Sequence, residues 1–443
     1  MQKTRVSRRT FINQAGSLAA ALPLASVLPV AAQTTSPGIS PMSSQQTIPR
    51  TVTSRLRGAT VIEVSINASD PRYRLPDPSV TPGQDCSQAI NNAITDLGPN
   101  GGTVWIRYSG FNYSRTIGNN CIYMIDTTAN NYTDPGQSKS YYGIKLASNM
   151  LLQLDPGVQL VAMPNNVARS SIIYANRVSE VEIANGSIIG ERFTHTNSGT
   201  ADDCVGIRLI GVTAVTVRSI GISNCEGDGI TIGRSISASP FKSSSDVILS
   251  DVVCTGNGRR GVTVGNVDSV SIFDSEFTLT QGIDPQAGIG IQPAGTGTAS
   301  NITIDNCTVT GNEGSGIELN ANTGVTISNV NVTNSLMHYN KYSGFYAHGA
   351  GVIDTGTIYG NAFFQNRDIG LRLDDNTKNF IVGGASGSDS VNSFANNQIS
   401  WSEAINYPNP TKTPKQGYIT GTNMHETTPA NNTINWNNFY SPA

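Results

Sequence analysis

One pattern constrains this chain more than any other: a glycine followed by alternating apolar residues, returning at near-regular intervals. It reads Gly206-Ile207-Arg208-Leu209, Gly229-Ile230-Thr231-Ile232, Gly261-Val262-Thr263-Val264, Gly288-Ile289-Gly290-Ile291, Gly316-Ile317-Glu318-Leu319, Gly344-Phe345-Tyr346-Ala347 and Gly370-Leu371-Arg372-Leu373. The glycines are separated by 23, 32, 27, 28, 28 and 26 residues. Between them runs a second alternating segment, at Val215-Thr216-Val217, Val247-Ile248-Leu249, Val270-Ser271-Ile272, Ile302-Thr303-Ile304 and Val325-Thr326-Ile327. Gly-Asn turn signals stand at Gly256-Asn257, Gly311-Asn312 and Gly360-Asn361. Period-2 alternation sends one side chain inward and the next outward. A fixed period carrying two or three short strands means windings that bury their apolar residues only against the windings above and below. A TIM barrel would need helical patterns between the strands, and a propeller a longer four-stranded unit.

Composition agrees and narrows the class of protein. Only 13% of the 443 residues are charged, 45 are glycine, and the formal charge is −3. That balance is too near neutral for a nucleic-acid arm, so no nucleic-acid partner is expected. Ser7-Arg8-Arg9-Thr10-Phe11-Ile12 followed by an apolar run to Val30-Ala31-Ala32 reads as a twin-arginine signal peptide over 1–32, cleaved rather than kept as a membrane anchor. The expected location is periplasmic or secreted, with no membrane attachment after cleavage. Residues 33–56, rich in Ser, Thr and Pro, read as a linker. Asp85 to Leu97 places Ile90, Ile94 and Leu97 on one helical face and predicts a capping helix; Gly101 to Ile106 predicts the strand after it. Residues 401–443 do not match the repeat and read as a polar cap or tail. Cys254 and Cys307 occupy positions that Val or Ile take in neighbouring repeats, so they read as core residues, while Cys86 and Cys121 form the one pair to test as a bridge.

The repeats resemble the right-handed parallel β-helix of the pectin-lyase-like superfamily. Tyr142-Gly143-Ile144-Lys145-Leu146-Ala147-Ser148-Asn149-Met150-Leu151, with Leu154-Asp155-Pro156-Gly157, is similar to the early coils of polygalacturonases and alginate epimerases. The resemblance covers roughly 57–400 and implies an all-β solenoid with a short N-terminal capping helix. It further implies a polysaccharide substrate, since members are mostly polysaccharide lyases, hydrolases and epimerases, with some phage and adhesin binding proteins. Asp202-Asp203 and Ala347-His348-Gly349 resemble polygalacturonase motifs but stand in a different order, and Asp284-Pro285-Gln286 lacks the histidine of the epimerase motif.

Aligned on the repeated glycine, the residues two positions on form one outward column: Arg208, Thr231, Thr263, Gly290, Glu318, Tyr346 and Arg372. Those four positions on are Ile210, Gly233, Gly265, Gln292, Asn320, His348 and Asp374. Small residues in the middle predict a trough, with long polar side chains rising toward the C-terminal end. Two clusters follow. Asp202, Asp203, Glu226 and Asp228 lie on two successive coils, with Arg259 and Arg260 on the next. Stacked carboxylates repel unless a proton, an arginine or a cation intervenes, which suits a general acid or a calcium site of oxygen ligands. The second cluster is Glu318, Tyr346, His348, Arg372 and Asp374; one of only 4 histidines falls here beside Tyr, Glu and Arg. Glu191, Arg192 and His195 form a third group, read as an ordinary loop.

Two reaction types stay open. β-Elimination or C5 epimerisation of a uronic acid needs a carboxylate neutraliser, a base and an acid, parts that Arg260 or Arg372, His348 and Tyr346 would supply. Substrate contacts would come from Glu226, Arg259, Gln292, Glu318 and Arg372. Inverting glycoside hydrolysis needs two carboxyls ~6.5–9.5 Å apart, a role for Asp203 and Asp228. A non-catalytic carbohydrate-binding β-helix is the third possibility. No cofactor motif is present, and calcium is the one ion the acidic cluster suggests.

Overall fold

The computed structural model describes residues 60–77, 81, 83–107, 121–135, 137–196, 203–374, 376–383, 392–395 and 397, with further short strands at Met424–Glu426, Thr433–Ile434 and Phe439–Tyr440. The signal-peptide and linker assignments, and Asp202, lie outside the described residues. Within them the chain winds as a right-handed parallel β-helix. One representative winding runs through Arg260–Val264, Val267–Phe273 and Glu276–Thr278. Each strand pairs in parallel with its counterpart one winding on, as Val270↔Ile302 and Phe277↔Val309 show.

The corners explain the abundance of Asn, Asp, Ser and Gly. Between the second and third strands of successive windings stand Ser219, Asp251, Asp274, Asn306, Asn334 and Gly360, all with φ between 49° and 68°. After the third strand stand Asn224, Gly256, Leu279, Gly311, Tyr339 and Gln365, again left-handed, with φ between 51° and 67°. Gly, Asn and Asp accept this conformation at least cost. Leu279 and Tyr339 do not favour it; the windings on either side impose it.

Next to each corner is a buried polar stack. Asn312, Asn340 and Asn366 are at most 1% exposed. The Nδ2 of Asn312 donates to Asn340 Oδ1 at 2.9 Å, Asn340 Nδ2 to Asn366 Oδ1 at 3.0 Å, and Asn366 Nδ2 to Asn397 Oδ1 at 3.0 Å. The same oxygens also accept backbone N–H groups of the winding below, as when Asn340 N donates to Asn366 Oδ1 at 3.2 Å. An amide side chain carries both donor and acceptor, so one residue per winding satisfies the polar groups that a turn would otherwise bury unpaired.

The face that concerns function is a 10-stranded parallel sheet. Its strands are β1 Ile144–Lys145, β2 Arg169–Asn176, β3 Asp203–Ile210, β4 Ile230–Gly233, β5 Arg260–Val264, β6 Ala287–Ile291, β7 Ile317–Asn320, β8 Phe345–His348, β9 Leu371–Leu373 and β10 Met424–Glu426. Inward residues such as Ile207, Ile230, Val262, Ile289, Ile317, Phe345 and Leu371 are 0% exposed and form one column of the core. Cys254 sits in the core between Ile222 and Phe277 of the adjacent windings, and Cys307 is buried at a corner. Residues 401–443 contribute β10 and two further strands, which pair in register with the preceding winding and carry the stack beyond residue 400.

The N-terminal end is covered by helix α1, Ser87–Asp96. Asp85, one residue before the N-cap Cys86, meets the first turn, Oδ1 accepting Ser87 N at 2.9 Å and Oδ2 accepting Ser87 Oγ at 2.7 Å. That satisfies one backbone donor that the first helical turn leaves orphaned. The apolar face Ile90, Ala93, Ile94 and Leu97 is buried against the first windings. Cys86 and Cys121 are buried neighbours there; burial, with Asp85 and Cys121 adding, pushes the Cys86 thiol up to about 12.

Candidate functional site

Strand register makes the outward column a physical row. Lys145 pairs with Tyr174, Tyr174 with Arg208, Arg208 with Thr231, Thr231 with Thr263, Thr263 with Gly290, Gly290 with Glu318, Glu318 with Tyr346, and Tyr346 with Arg372. This is the expected order, with steps of ~4.8 Å between strands. His425 of β10 continues it at the register position after Arg372.

Arg260 organises the middle of the face. It is 1% exposed and starts one residue before the repeat glycine of β5. Its side chain crosses the neighbouring strand, and Gly290 is what allows this: a Cβ there would stand 2.3 Å from Arg260 Nε. The guanidinium then donates from Nη2 to Gln292 Oε1 at 2.6 Å and to Glu318 Oε2 at 3.3 Å. Thus Arg260, assigned from sequence to the acidic cluster, is joined by its hydrogen bonds to the second cluster instead. An arginine is long enough to span a whole winding, so its functional end lies where a register argument does not follow.

Glu318 is the junction. Its Oε1 lies 3.0 Å from His348 Nε2 while its Oε2 accepts from Arg260. Burial favours the neutral acid, but the His348 hydrogen bond and the Arg260 charge outweigh it and hold the carboxyl below its ordinary range. An ionised carboxylate only accepts, so His348 Nε2 carries the hydrogen, and in the neutral form of the ring the lone pair is on Nδ1. The His348 ring stacks on Tyr346, with centroids 4.1 Å apart and planes 13° from parallel. Arg372 covers Tyr346 at 4.7 Å from the ring centroid. Asp374 ties the two, accepting Tyr346 Oη at 2.8 Å and Arg372 Nε at 2.9 Å. Burial and the Asp374 contact, opposed by Arg372, push the Tyr346 hydroxyl up to about 12.

The first cluster is held by arginines. Asp203 Oδ2 accepts Arg169 Nε at 2.7 Å, and its Oδ1 accepts Arg208 Nη2 at 2.5 Å. Burial favours the neutral acid, but Arg208 and Arg169 together hold the Asp203 carboxyl below its ordinary range. Asp228, 2% exposed, accepts Arg259 Nη1 at 3.2 Å and Thr231 Oγ1 at 3.0 Å. Glu226 is buried at 4% exposure. Guanidinium groups therefore occupy the role that the sequence left open to a calcium ion. His338 ends a strand on another face, where its ring meets that of Tyr339 at a 50° tilt, and stands apart from this network.

Sequence reasoning missed the N-terminal end of the row. An antiparallel pair, Asn130–Tyr132 with Ser140–Tyr142, leaves the winding and returns. It brings Tyr132 to 4.5 Å and Tyr142 to 5.0 Å from the Tyr174 ring, both stacked. No repeat position encodes this excursion; three tyrosines close in sequence to the first front strand were the available signal. A cleft of about 380 Å³ lies beyond it, lined by Gln88, Asn91, Tyr142 and Lys145 among others.

Residues 194–355 match the family model described as the right-handed beta helix region. Two curated relatives are from Bacillus subtilis (strain 168): the uncharacterized protein YclG, 26% identical over 210 residues covering 44% of this chain and 36% of the relative, and the SPbeta prophage-derived uncharacterized protein YorA, 28% identical over 165 residues covering 34% and 28%. The chain thus spans about a third of the length of these relatives. Among solved structures it is similar to the tailspike of E. coli bacteriophage HK620 in complex with a pentasaccharide, at 15% identity and TM-score 0.56, covering 75% of this chain and 57% of that one. It is also similar to the Dettilon tailspike protein, at 13% identity and TM-score 0.53, covering 86% and 60%. The chain is a right-handed parallel β-helix, the fold that the matched region and these neighbours share.

Proposed function

We propose that the protein is an exported carbohydrate-active enzyme that acts on a uronic-acid-containing polysaccharide by abstracting the C5 proton, leading to β-elimination or epimerisation. The observation that carries this reading is the connected row Arg260–Glu318–His348–Tyr346–Asp374–Arg372, spread across β5 to β9 and open to solvent at His348 and Arg372, whose side chains are 23% and 31% exposed. His348 is the base: Glu318 fixes its Nε2–H and leaves Nδ1 to receive the proton, as a carboxylate does for a catalytic imidazole. Arg372, at the rim, pairs with the substrate carboxylate and stabilises the charge that develops as C5–H breaks. Tyr346, protonated across the neutral range, donates to the leaving oxygen or to the opposite face of the sugar. Arg260 is enclosed, so its part is to hold Glu318 ionised and in place. The Tyr132 and Tyr142 rings, backed by the buried Tyr174, offer stacking surface beside the same row for further sugar units.

A second reading, a sugar-binding solenoid without catalysis, is favoured by the similarity to a tailspike whose structure contains a pentasaccharide. Hydrolysis by Asp203 and Asp228 is the third, although arginines engage both carboxylates. A panel of acidic and neutral polysaccharides separates them. Elimination produces an unsaturated product that absorbs in the ultraviolet; epimerisation changes C5 configuration without new ends; hydrolysis produces reducing ends without absorbance. Affinity with no product marks the binding module, and unchanged turnover in His348→Ala overturns the proposed base.

A further inference from the structure

Flanking the row, where the loop after Ser187–Ile189 meets the start of β3, is a second concentration of reactive groups. One ligand-capable atom each of Glu191, His195 and Cys204 lies within 4.8 Å of the others, and all three residues are buried. The loop is held firmly: Glu191 O accepts His195 N at 2.7 Å, and Asn165 Nδ2 donates to Glu191 Oε1 at 2.9 Å. The His195 ring lies against that carboxylate, Nδ1 to Oε1 at 3.1 Å. Cys204 donates its thiol hydrogen to Val167 O at 3.1 Å.

The arrangement is incomplete as it stands. His195 has a side chain 0% exposed and Glu191 one 4% exposed, yet His195 Nε2 and Glu191 Oε2 have no hydrogen-bond partner. Groups left buried and unsatisfied cost the fold stability, and more so where charge is involved. Beside Glu191 and Cys204 is a small cavity of about 10 Å³, which Cys225 and Glu226 also line. That is about enough for one water-sized sphere.

We propose that Glu191, His195 and Cys204 bind a divalent transition-metal ion of the zinc class. One oxygen, one imidazole nitrogen and one thiolate sulfur are a borderline donor set; calcium and magnesium, which take oxygen donors, fit it poorly. Ligands on a tetrahedral zinc-class ion lie roughly 3.3–3.8 Å apart, so loading draws ligand atoms up to 4.8 Å apart together by up to about 1.5 Å. The fourth position would fall to a water molecule or to a further protein atom. Binding is balanced by proton loss: the Cys204 S–H bond breaks, the sulfur's electron pair goes to the metal, and the proton leaves to solvent. Cys204 adjoins Asp203, the residue that anchors Arg169 and Arg208 at the head of the candidate site. The ion would thus pin the loop to the edge of the functional sheet, a positioning role independent of the sugar chemistry.

The test uses the full chain, stripped with chelator and titrated with Zn²⁺, Co²⁺ and Ca²⁺. The expected result is about one Zn²⁺ or Co²⁺ per chain, a rise in melting temperature on loading, and no response to Ca²⁺. Bound Co²⁺ should show a thiolate-to-cobalt charge-transfer band. Cys204→Ser should abolish the band, Cys307→Ser should leave it, and Glu191→Gln, close in shape, should weaken Zn²⁺ binding at least 10-fold. A stripped wild-type chain that takes up no stoichiometric ion, or whose Co²⁺ spectrum lacks the band, overturns the proposal whatever the variants do. So does a band that survives in Cys204→Ser.

Discussion

At the scale of single residues, the face works because a few side chains have been given space or charge that a generic strand would not provide. Gly290 is the clearest case. Alanine there places a methyl 2.3 Å from Arg260 Nε, so the guanidinium must leave Glu318. Gly290→Ala should lower turnover at least tenfold while reducing stability by about 1–3 kcal/mol, read from kinetics and chemical denaturation together. Glu318→Gln tests the electrostatics. Because the folded Glu318 carboxyl sits below its ordinary value of 4.5, its ionic contribution to stability is present above that pH and disappears as pH falls through the lowered value. The variant should be less stable than wild type by about 1–3 kcal/mol at pH 7, and the gap should close on acidification toward pH 3. A gap that stays constant with pH would mean that Glu318 acts by packing alone. The outward column Arg208 to Arg372 was legible in the sequence, since it needs only the period and the alternation. The reach of Arg260 over Gly290 was not, because register locates an α-carbon and says little about where six further atoms of a flexible side chain end.

At the scale of the elements, strand identity was the easy part and the corners the harder one. Gly256, Gly311 and Gly360 announce left-handed turns, but Ser219, Leu279 and Tyr339 adopt the same conformation without a signal of their own, because strands above and below already fix both ends of each turn. The excursion carrying Tyr132 and Tyr142 was hidden for a related reason: it belongs to no winding. The asparagine stack offers a direct comparison of buried and exposed corner chemistry. Asn340→Ala removes partners from Asn312 and Asn366 and from a buried backbone N–H, and should destabilise the fold by about 2–4 kcal/mol. Asn306→Gly, at an exposed left-handed corner whose side chain reaches only Asp274, should change stability by less than about 1 kcal/mol. Equal effects in urea unfolding would show that the buried amides do not set the register.

At the scale of the molecule, a solenoid has no centre; each winding is stabilised by its neighbours, and the ends are where the hydrophobic column would meet water. Helix α1 closes one end. Ile90 is 0% exposed and packs in the same core cluster as Val104 and Met150, the inward residues of the first paired strands. Removing that cover would leave a parallel strand edge and an apolar surface suited to pairing with another copy. Ile90→Asp puts a charge into that contact, so the helix can dock only by burying it unpaired, at a cost of several kcal/mol. Because coupling between windings is local, the damage should stay at the N-terminal end: the coils that carry Glu318 and His348 lie many windings away and should remain folded. The expected behaviour is therefore concentration-dependent self-association on size-exclusion chromatography, with the Co²⁺ or substrate response of folded monomer close to wild type. Global unfolding of Ile90→Asp at 25 °C would instead mean that the stack folds as a single all-or-none unit and that the cap nucleates it. A fully monomeric, wild-type-like variant would mean that the end of the column is protected by something other than α1.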